Sequence, residues 1–417
     1  MSEVAQAPHS SPDGHIPQLR FPEFNVSWNE YKLGSITDVV DSLHTTPKDY
    51  VSSGFPMIRV VDVSNIELDL NKCLNVSEET YRQFTKKYQP KVGDVVLSRV
   101  GTCGASIMLR TKDNVCLGQN TVLLHPKINK DFYHILVKSN IFQVQVSRRV
   151  VGSTQKTLSL KDLKLFKLNI PAKPEQQKIA EFLTAVDNKI EQLSKKQALL
   201  GEYKKGLMQQ IFSQAIRFKA DDGSDFPNWE EKKLGDVVST PVSDGPHLTP
   251  KFVKQGVPFL SVNNLVESKI DFSNVRYISI DDHLVFSKKC KPKKGDVLLG
   301  KAASVGKVAF VETDVEFNIW SPIAMIRPGN SNFSKYIYYC FQTRFILNQI
   351  SKFTNSSSQG NIGMGDINKI IIKLPNKLEQ TKIANLLSSI DSKIEQVGKQ
   401  LRESKQFKKA LLQQMFV

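Results

Sequence analysis

The chain is written twice. Over its 417 residues, segments return with a period of about 203, so the fold must be a repeat of one unit or two units of one kind. Trp28-Asn29-Glu30-Tyr31-Lys32-Leu33-Gly34 returns as Trp229-Glu230-Glu231-Lys232-Lys233-Leu234-Gly235, each after a Phe-Pro pair, Phe21-Pro22 and Phe226-Pro227. Gly93-Asp94-Val95-Val96-Leu97 returns as Gly295-Asp296-Val297-Leu298-Leu299, and Gly104 matches Gly306. Each copy closes on the strongest match. Glu175-Gln176-Gln177-Lys178-Ile179-Ala180 corresponds to Glu379-Gln380-Thr381-Lys382-Ile383-Ala384, and Asp187-Asn188-Lys189-Ile190-Glu191-Gln192 to Asp391-Ser392-Lys393-Ile394-Glu395-Gln396. Leu207-Met208-Gln209-Gln210-Ile211-Phe212 then corresponds to Leu411-Leu412-Gln413-Gln414-Met415-Phe416. Between these anchors the copies diverge almost completely. Alike ends make one kind of contact twice, while unlike middles can read two different things.

The closing segments carry helical heptads. Ile179, Leu183, Val186, Ile190, Leu193, Leu200, Leu207 and Ile211 share one seam, with Gln197 and Lys204 at its two polar positions. Ile383, Leu387, Ile390, Ile394, Val397, Leu401, Leu411 and Met415 repeat the pattern, with Ser404 and Lys408 in the seam. Pro171 and Pro174 precede the first helix and Pro375 the second, as helix starts often show. Two such helices can each pack on their own globular domain or pair with one another; the matched heptads favour pairing. About a dozen residues separate Phe212 from Trp229, so the second helix starts close to where the first stops. A paired arrangement is then antiparallel, and about 39 helical residues span about 58 Å.

The expected fold class is mixed α/β: two α/β domains separated by a long antiparallel two-helix coiled coil, in a pseudo-two-fold internal repeat. Its expected parts are a disordered tail (1–15), a first globular domain (16–171), a first spacer helix (172–215), a linker (216–225), a second globular domain (226–375) and a second spacer helix (376–417). Strand-like runs include residues 55–61, 94–97 and 121–124, with 257–262, 296–299 and 323–326 in the second copy. Residues 132–146 and 336–350 read as helical.

Lys and Arg number 57 against 41 Asp and Glu, a formal net charge of +16 that favours a polyanionic partner. Three loops in each copy suit DNA. The first holds His44, Thr45, Thr46 and Lys48, answered by His247, Thr249 and Lys251. The second holds Arg99 and Thr102, answered by Lys301 and Ser304. The third holds Ser153, Thr154, Gln155 and Lys156, answered by Ser358, Gln359 and Asn361. Arg, Lys, Gln and Asn can reach base edges, whereas Ser, Thr and backbone amides suit phosphates; the same composition also makes an ordinary solvated loop.

Catalysis is not expected. Gly295–Ala302 nearly fits a phosphate loop, but Ala302 lacks the hydroxyl needed for Mg²⁺ and the run between reads as a strand. His44 and His247 are equivalent by position, without an adjacent nucleophile and carboxylate pattern. The five cysteines are scattered with no zinc spacing, so no metal is expected. No apolar run is long enough for a membrane span, and no signal peptide is legible, which makes the cytoplasm the expected compartment.

The W-x-x-x-x-L-G opening, the G-D-V strand and the closing E-Q-x-K-I-A…D-x-K-I-E-Q helix, all present twice, resemble the specificity subunits of Type I restriction–modification systems. The resemblance covers essentially the whole chain beyond its first 15 or so residues. It implies two target-recognition domains, each reading half of a bipartite, non-palindromic duplex DNA site, with halves roughly one helical turn apart. It also implies that the helices dock two methyltransferase subunits that modify adenine, joined by restriction subunits that cleave unmodified DNA. S-adenosylmethionine, ATP and Mg belong to those partners, and this chain binds none of them. Gln176, Lys178, Glu191, Gln192, Gln380, Lys382, Glu395 and Gln396, on the exposed helix faces, are the expected partner contacts. The competing readings are a non-catalytic coiled-coil scaffold and an orphan DNA-binding subunit of a related modification system.

Overall fold

The computed structural model describes residues 16–63, 68–151, 156–329, 331–354 and 360–417; the expected tail, 1–15, lies outside them. The chain divides into two compact units after Ser194 and again after Gly398, so the first unit takes in the end of the second long helix.

In the first unit the central sheet is antiparallel, in the order Thr37–Asp41, Thr121–Pro126, Val95–Ser98, Ser106–Met108. Val95–Ser98 is buried throughout, which is why that strand reads as an unbroken apolar run. A second sheet places Phe55–Ile58 between Leu74–Val76 and Cys116–Leu117, the last pair parallel. The expected strand 55–61 ends early because residues Val60–Val63 turn into a short helix, with the Asp62 carboxylate accepting from the Arg59 amide. The helical stretch 132–146 is two helices, Lys130–Lys138 and Asn140–Arg149. Buried Ser139 breaks it: its hydroxyl caps the second helix by accepting from the Phe142 amide.

The second unit repeats this order. Its sheet runs Ser243–Asp244, Ile323–Ile326, Val297–Gly300, Val308–Phe310, and a second sheet runs Arg276–Ile278, Val257–Leu260, Asn318–Ile319. Here Thr343 caps the helix Arg344–Phe353 as Ser139 does in the first unit.

The repeated Gly-Asp pair makes the turn into the central strand. Gly93 and Gly295 have φ of 90° and 93°, backbone that a side chain would strain. Asp94 and Asp296 then accept from the amides of Lys91 and Lys293, at 2.8 and 2.7 Å. Each carboxylate is buried and meets one more partner, His125 at 2.6 Å or Arg327 at 2.8 and 2.7 Å. Both Gly-Asp pairs are structural.

The long helices are continuous, Lys173–Phe212 and Lys377–Gln414. Within each unit the start of one lies against the end of the other, so the pairing is antiparallel. Ile179 and Leu183 share a core with Leu411 and Met415 in the first unit, and Met208 and Ile211 share one with Ile383 and Leu387 in the second. The lysines in the seam are neutralised across it: Lys408 meets Asp187 at 2.5 Å and Lys204 meets Asp391 at 2.7 Å. Those aspartates open the repeated D-x-K-I-E-Q segment, which accounts for their recurrence.

Three of the repeated anchors meet in one place per unit. Trp28 donates from Nε1 to the Glu175 carboxylate and packs edge-on against Phe416. Trp229 donates likewise to Glu379 and packs edge-on against Phe212. Each unit thus joins its own tryptophan and helix start to the helix end that follows the other globular segment. Arg20 and Arg217 complete the pair of clamps with two bonds each to Glu175 and Glu379.

The linker, residues 216–225, is tied down: Arg217 clamps Glu379, and Lys382 bonds the Lys219 carbonyl and Asp221. One expectation needs correcting here. Gln176 and Gln380 are not on an exposed face. They are 3% and 8% exposed, and their amides donate back to the carbonyls of Pro171 and Pro375 five residues earlier, tying down the turn into each helix.

Candidate nucleic-acid interface

The first unit brings its three loops together. Asp41, the last residue of its strand, holds the His44 imidazole at 2.9 Å and the Arg99 guanidinium at 3.3 Å. Arg99 follows the central strand, so the first two loops are joined through one carboxylate. The third loop is tied to the second by backbone: the Gly101 amide donates to the Lys156 carbonyl and the Leu158 amide to the Arg99 carbonyl. His44, Thr45, Thr46, Lys48, Thr102 and Lys156 are exposed around this junction. Ser153, Thr154 and Gln155 lie outside the described residues.

The second unit builds the same junction around the same Asp-His pair, with two lysines in place of the arginine. Asp244 holds His247 at 3.3 Å, Lys301 at 3.2 Å and Lys289 at 2.6 Å. Burial pushes the Asp244 carboxyl up, but the ammonium groups of Lys289 and Lys301 outweigh it and hold it below its ordinary value. The Ile362 amide donates to the Lys301 carbonyl, and Ala302 pairs with Asn361. His247, Thr249, Lys251 and Asn361 are exposed and Ser304 is half-buried, while Ser358 and Gln359 lie outside the described residues. A Cβ on Gly245 would sit 1.7 Å from the Ile319 carbonyl oxygen, so the turn into the His247 loop requires glycine.

Lys301 is a correction. Read as a loop residue facing DNA, it is 7% exposed and spends its charge on Asp244. Arg99, its counterpart, is also largely enclosed, with 12% of its side chain exposed. Both act as posts that hold the histidine loop. The same placement disposes of the phosphate-loop likeness, since Val297–Gly300 is a buried strand of the central sheet. On the long helices Lys178, Glu191, Gln192, Glu395 and Gln396 are exposed; Lys382 is half-buried, Lys178 pairs with Glu23 and Glu395 with Lys269.

Sequence reasoning missed Arg20, Arg217 and the partnership of tryptophan with glutamate. The arginines stand eight residues before Trp28 but twelve before Trp229, so no fixed spacing marks them.

These features define a duplicated protein that carries two equivalent loop clusters, alike in their Asp-His pair and unlike in the cations around it. Two segments of the chain, residues 25–200 and 227–403, match the Type I restriction modification DNA specificity domain. The chain belongs to that family, the specificity subunits of Type I restriction–modification systems. It is similar to the type I restriction enzyme MjaIX specificity subunit of Methanocaldococcus jannaschii, 25% identical over 92% of this chain and 91% of the relative. It is also similar to the EcoBI specificity subunit of Escherichia coli, 20% identical over 91% of this chain and 82% of the relative. In fold it resembles the crystal structure of the Type I system S subunit from M. genitalium, with a TM-score of 0.61 at 15% identity, over 96% of this chain and 99% of that one. Among the described residues no helix is long and apolar enough to cross a membrane.

Proposed function

We propose that this chain selects the DNA target of a Type I restriction–modification complex, each unit reading one half of a bipartite, non-palindromic duplex site. The observation that carries this reading is the three-loop junction, assembled twice on the same strands around a matching Asp-His pair but with different cations, Arg99 in one and Lys289 and Lys301 in the other. Base edges are read by side chains, and unlike side chains in like positions read unlike sequences. The chain itself is non-catalytic. Two methyltransferase subunits that modify adenine dock on the long helices, where Glu191 and Gln192, with Glu395 and Gln396, offer one surface twice. S-adenosylmethionine, ATP and Mg are carried by the methyltransferase and restriction partners.

Single-molecule sequencing of DNA from cells with and without this gene, in the presence of its methyltransferase partner, tests the reading. A gapped, two-part adenine-methylation motif is expected only with the gene. Replacing residues 16–171 by the equivalent domain of another specificity subunit should change one half of that motif and leave the other intact. If partner and chain are both soluble and no motif depends on the gene, the scaffold reading takes its place.

A further inference from the structure

Between their anchors the two globular segments share few pieces, and beside the histidine loop a basic stretch survives in both. Lys86-Lys87-Tyr88-Gln89-Pro90-Lys91 corresponds to Lys288-Lys289-Cys290-Lys291-Pro292-Lys293, each just ahead of its Gly-Asp turn. The backbone of the stretch has a structural duty, since Lys91 and Lys293 donate their amides to the Gly-Asp aspartates. That duty does not use the ammonium groups. Lys86, Lys91, Lys288 and Lys293 are exposed, and none makes an ion pair among the described residues. Other lysines nearby in the second copy are spent: Lys291 meets Glu316 at 2.5 Å and Lys294 meets Asp314 at 2.9 Å.

The stretch lies beside the loop junction in both units. In the second, Lys289 bonds Asp244 and the Gly245 carbonyl at 2.6 and 3.1 Å, directly under the His247 loop. In the first, a cavity of about 290 Å³ has Asp41, Ser42 and Leu43 on one side and Lys86, Lys87 and Tyr88 on the other. Next to it a more open depression of about 490 Å³ is lined by Arg82, Lys86, Lys87 and Lys91 and by no carboxylate.

We infer that this lysine stretch is a DNA-backbone clamp, in which Lys86 and Lys91, and equivalently Lys288 and Lys293, neutralise phosphates flanking each half-site. The inference rests on the functional reading above and adds a division of labour to it. Phosphates are the same whatever the base sequence, so the residues that grip them can stay alike while base-reading positions change. A pattern kept in both domains, with exposed lysines outside any described ion pair at equivalent positions, although Lys91 also lies 5.6 Å over the Tyr88 ring, is what backbone contact calls for.

The test is equilibrium binding of the full chain, assembled with its methyltransferase partner, to a duplex carrying the methylation motif and to an unrelated duplex, between 50 and 200 mM salt. Each lost phosphate contact lowers the slope of log K against log[salt] by about 0.9. Lys86→Gln/Lys91→Gln and Lys288→Gln/Lys293→Gln should each flatten the slope by about 1.8 on both duplexes, with the methylation motif unchanged. Lys86→Arg/Lys91→Arg should keep it. An unchanged slope in both Gln pairs, or a loss confined to the motif-bearing duplex, overturns the clamp while the functional reading stands. A wild-type complex that binds neither duplex overturns both.

Discussion

Replacing Glu175 with alanine should lower the stability of the first unit by about 3–5 kcal/mol, the cost typical of breaking a buried ion pair from one side. Glu175 is 2% exposed and accepts two bonds from Arg20, each 2.7 Å, and one from the Trp28 indole at 3.2 Å. Removing the carboxylate strands a guanidinium that is itself 10% exposed and leaves the indole N–H without its acceptor. Glu175 also stands in the first turn of the long helix, where a negative charge is favoured. Denaturant unfolding followed through the fluorescence of Trp28, with Trp229 and Trp320 replaced by Phe, reads the change locally. Arg20→Met/Glu175→Met should cost less than Glu175→Ala, because no charge is left behind. A loss for Glu175→Ala below about 1 kcal/mol would mean that Arg20 reaches water and that the clamp is peripheral.

The second large effect is expected in mild acid. His134 sits on the helix Lys130–Lys138 with its Nε2 enclosed and without a hydrogen-bond partner. Burial, and then the charges of Lys138, Arg110 and Lys408, push its pKa down to about 3. The unfolded chain takes up a proton near pH 6.5, whereas the folded chain refuses it until about pH 3. His134 therefore costs nothing above pH 6.5 and destabilises progressively as the pH falls, by up to about 1.4 kcal/mol per pH unit. At pH 5 that amounts to about 2 kcal/mol relative to pH 7.5. Exchanging His134 for Tyr, the residue at the equivalent position of the second copy (Tyr338), should flatten the dependence of first-unit stability on pH over this window. An equally steep profile in His134→Tyr would show that the acid sensitivity comes from carboxylates elsewhere.

Much of this molecule is legible in its sequence. The heptads named the helices and most of their buried positions, because helical periodicity is imposed by backbone geometry and survives in one dimension. The Gly-Asp turn was visible for a similar reason, its glycine demanded by a local φ. Loop membership could also be read, but solvent exposure within the loops could not. Gln176, Gln380 and Lys301 looked like surface residues by type, and each proved to be buried with its polar atoms satisfied. Whether a polar side chain can be buried depends on which partners the fold brings to it, and those partners are not its neighbours in sequence.

The sequence by itself determined the duplication, the two helices, the family and the division between shared ends and divergent middles. These follow from local pattern and internal comparison, which need no knowledge of what touches what. Only the tertiary structure decided why the shared segments recur. Trp28 and Glu175 are 147 residues apart, Trp229 and Glu379 150, and each pair closes on a phenylalanine from the far end of the other helix. Likewise Asp187 and Asp391 find their lysines only across the seam. Long-range pairing is settled by how packed surfaces bury apolar area and satisfy the charges trapped between them, a condition on the folded whole that no single window of sequence expresses.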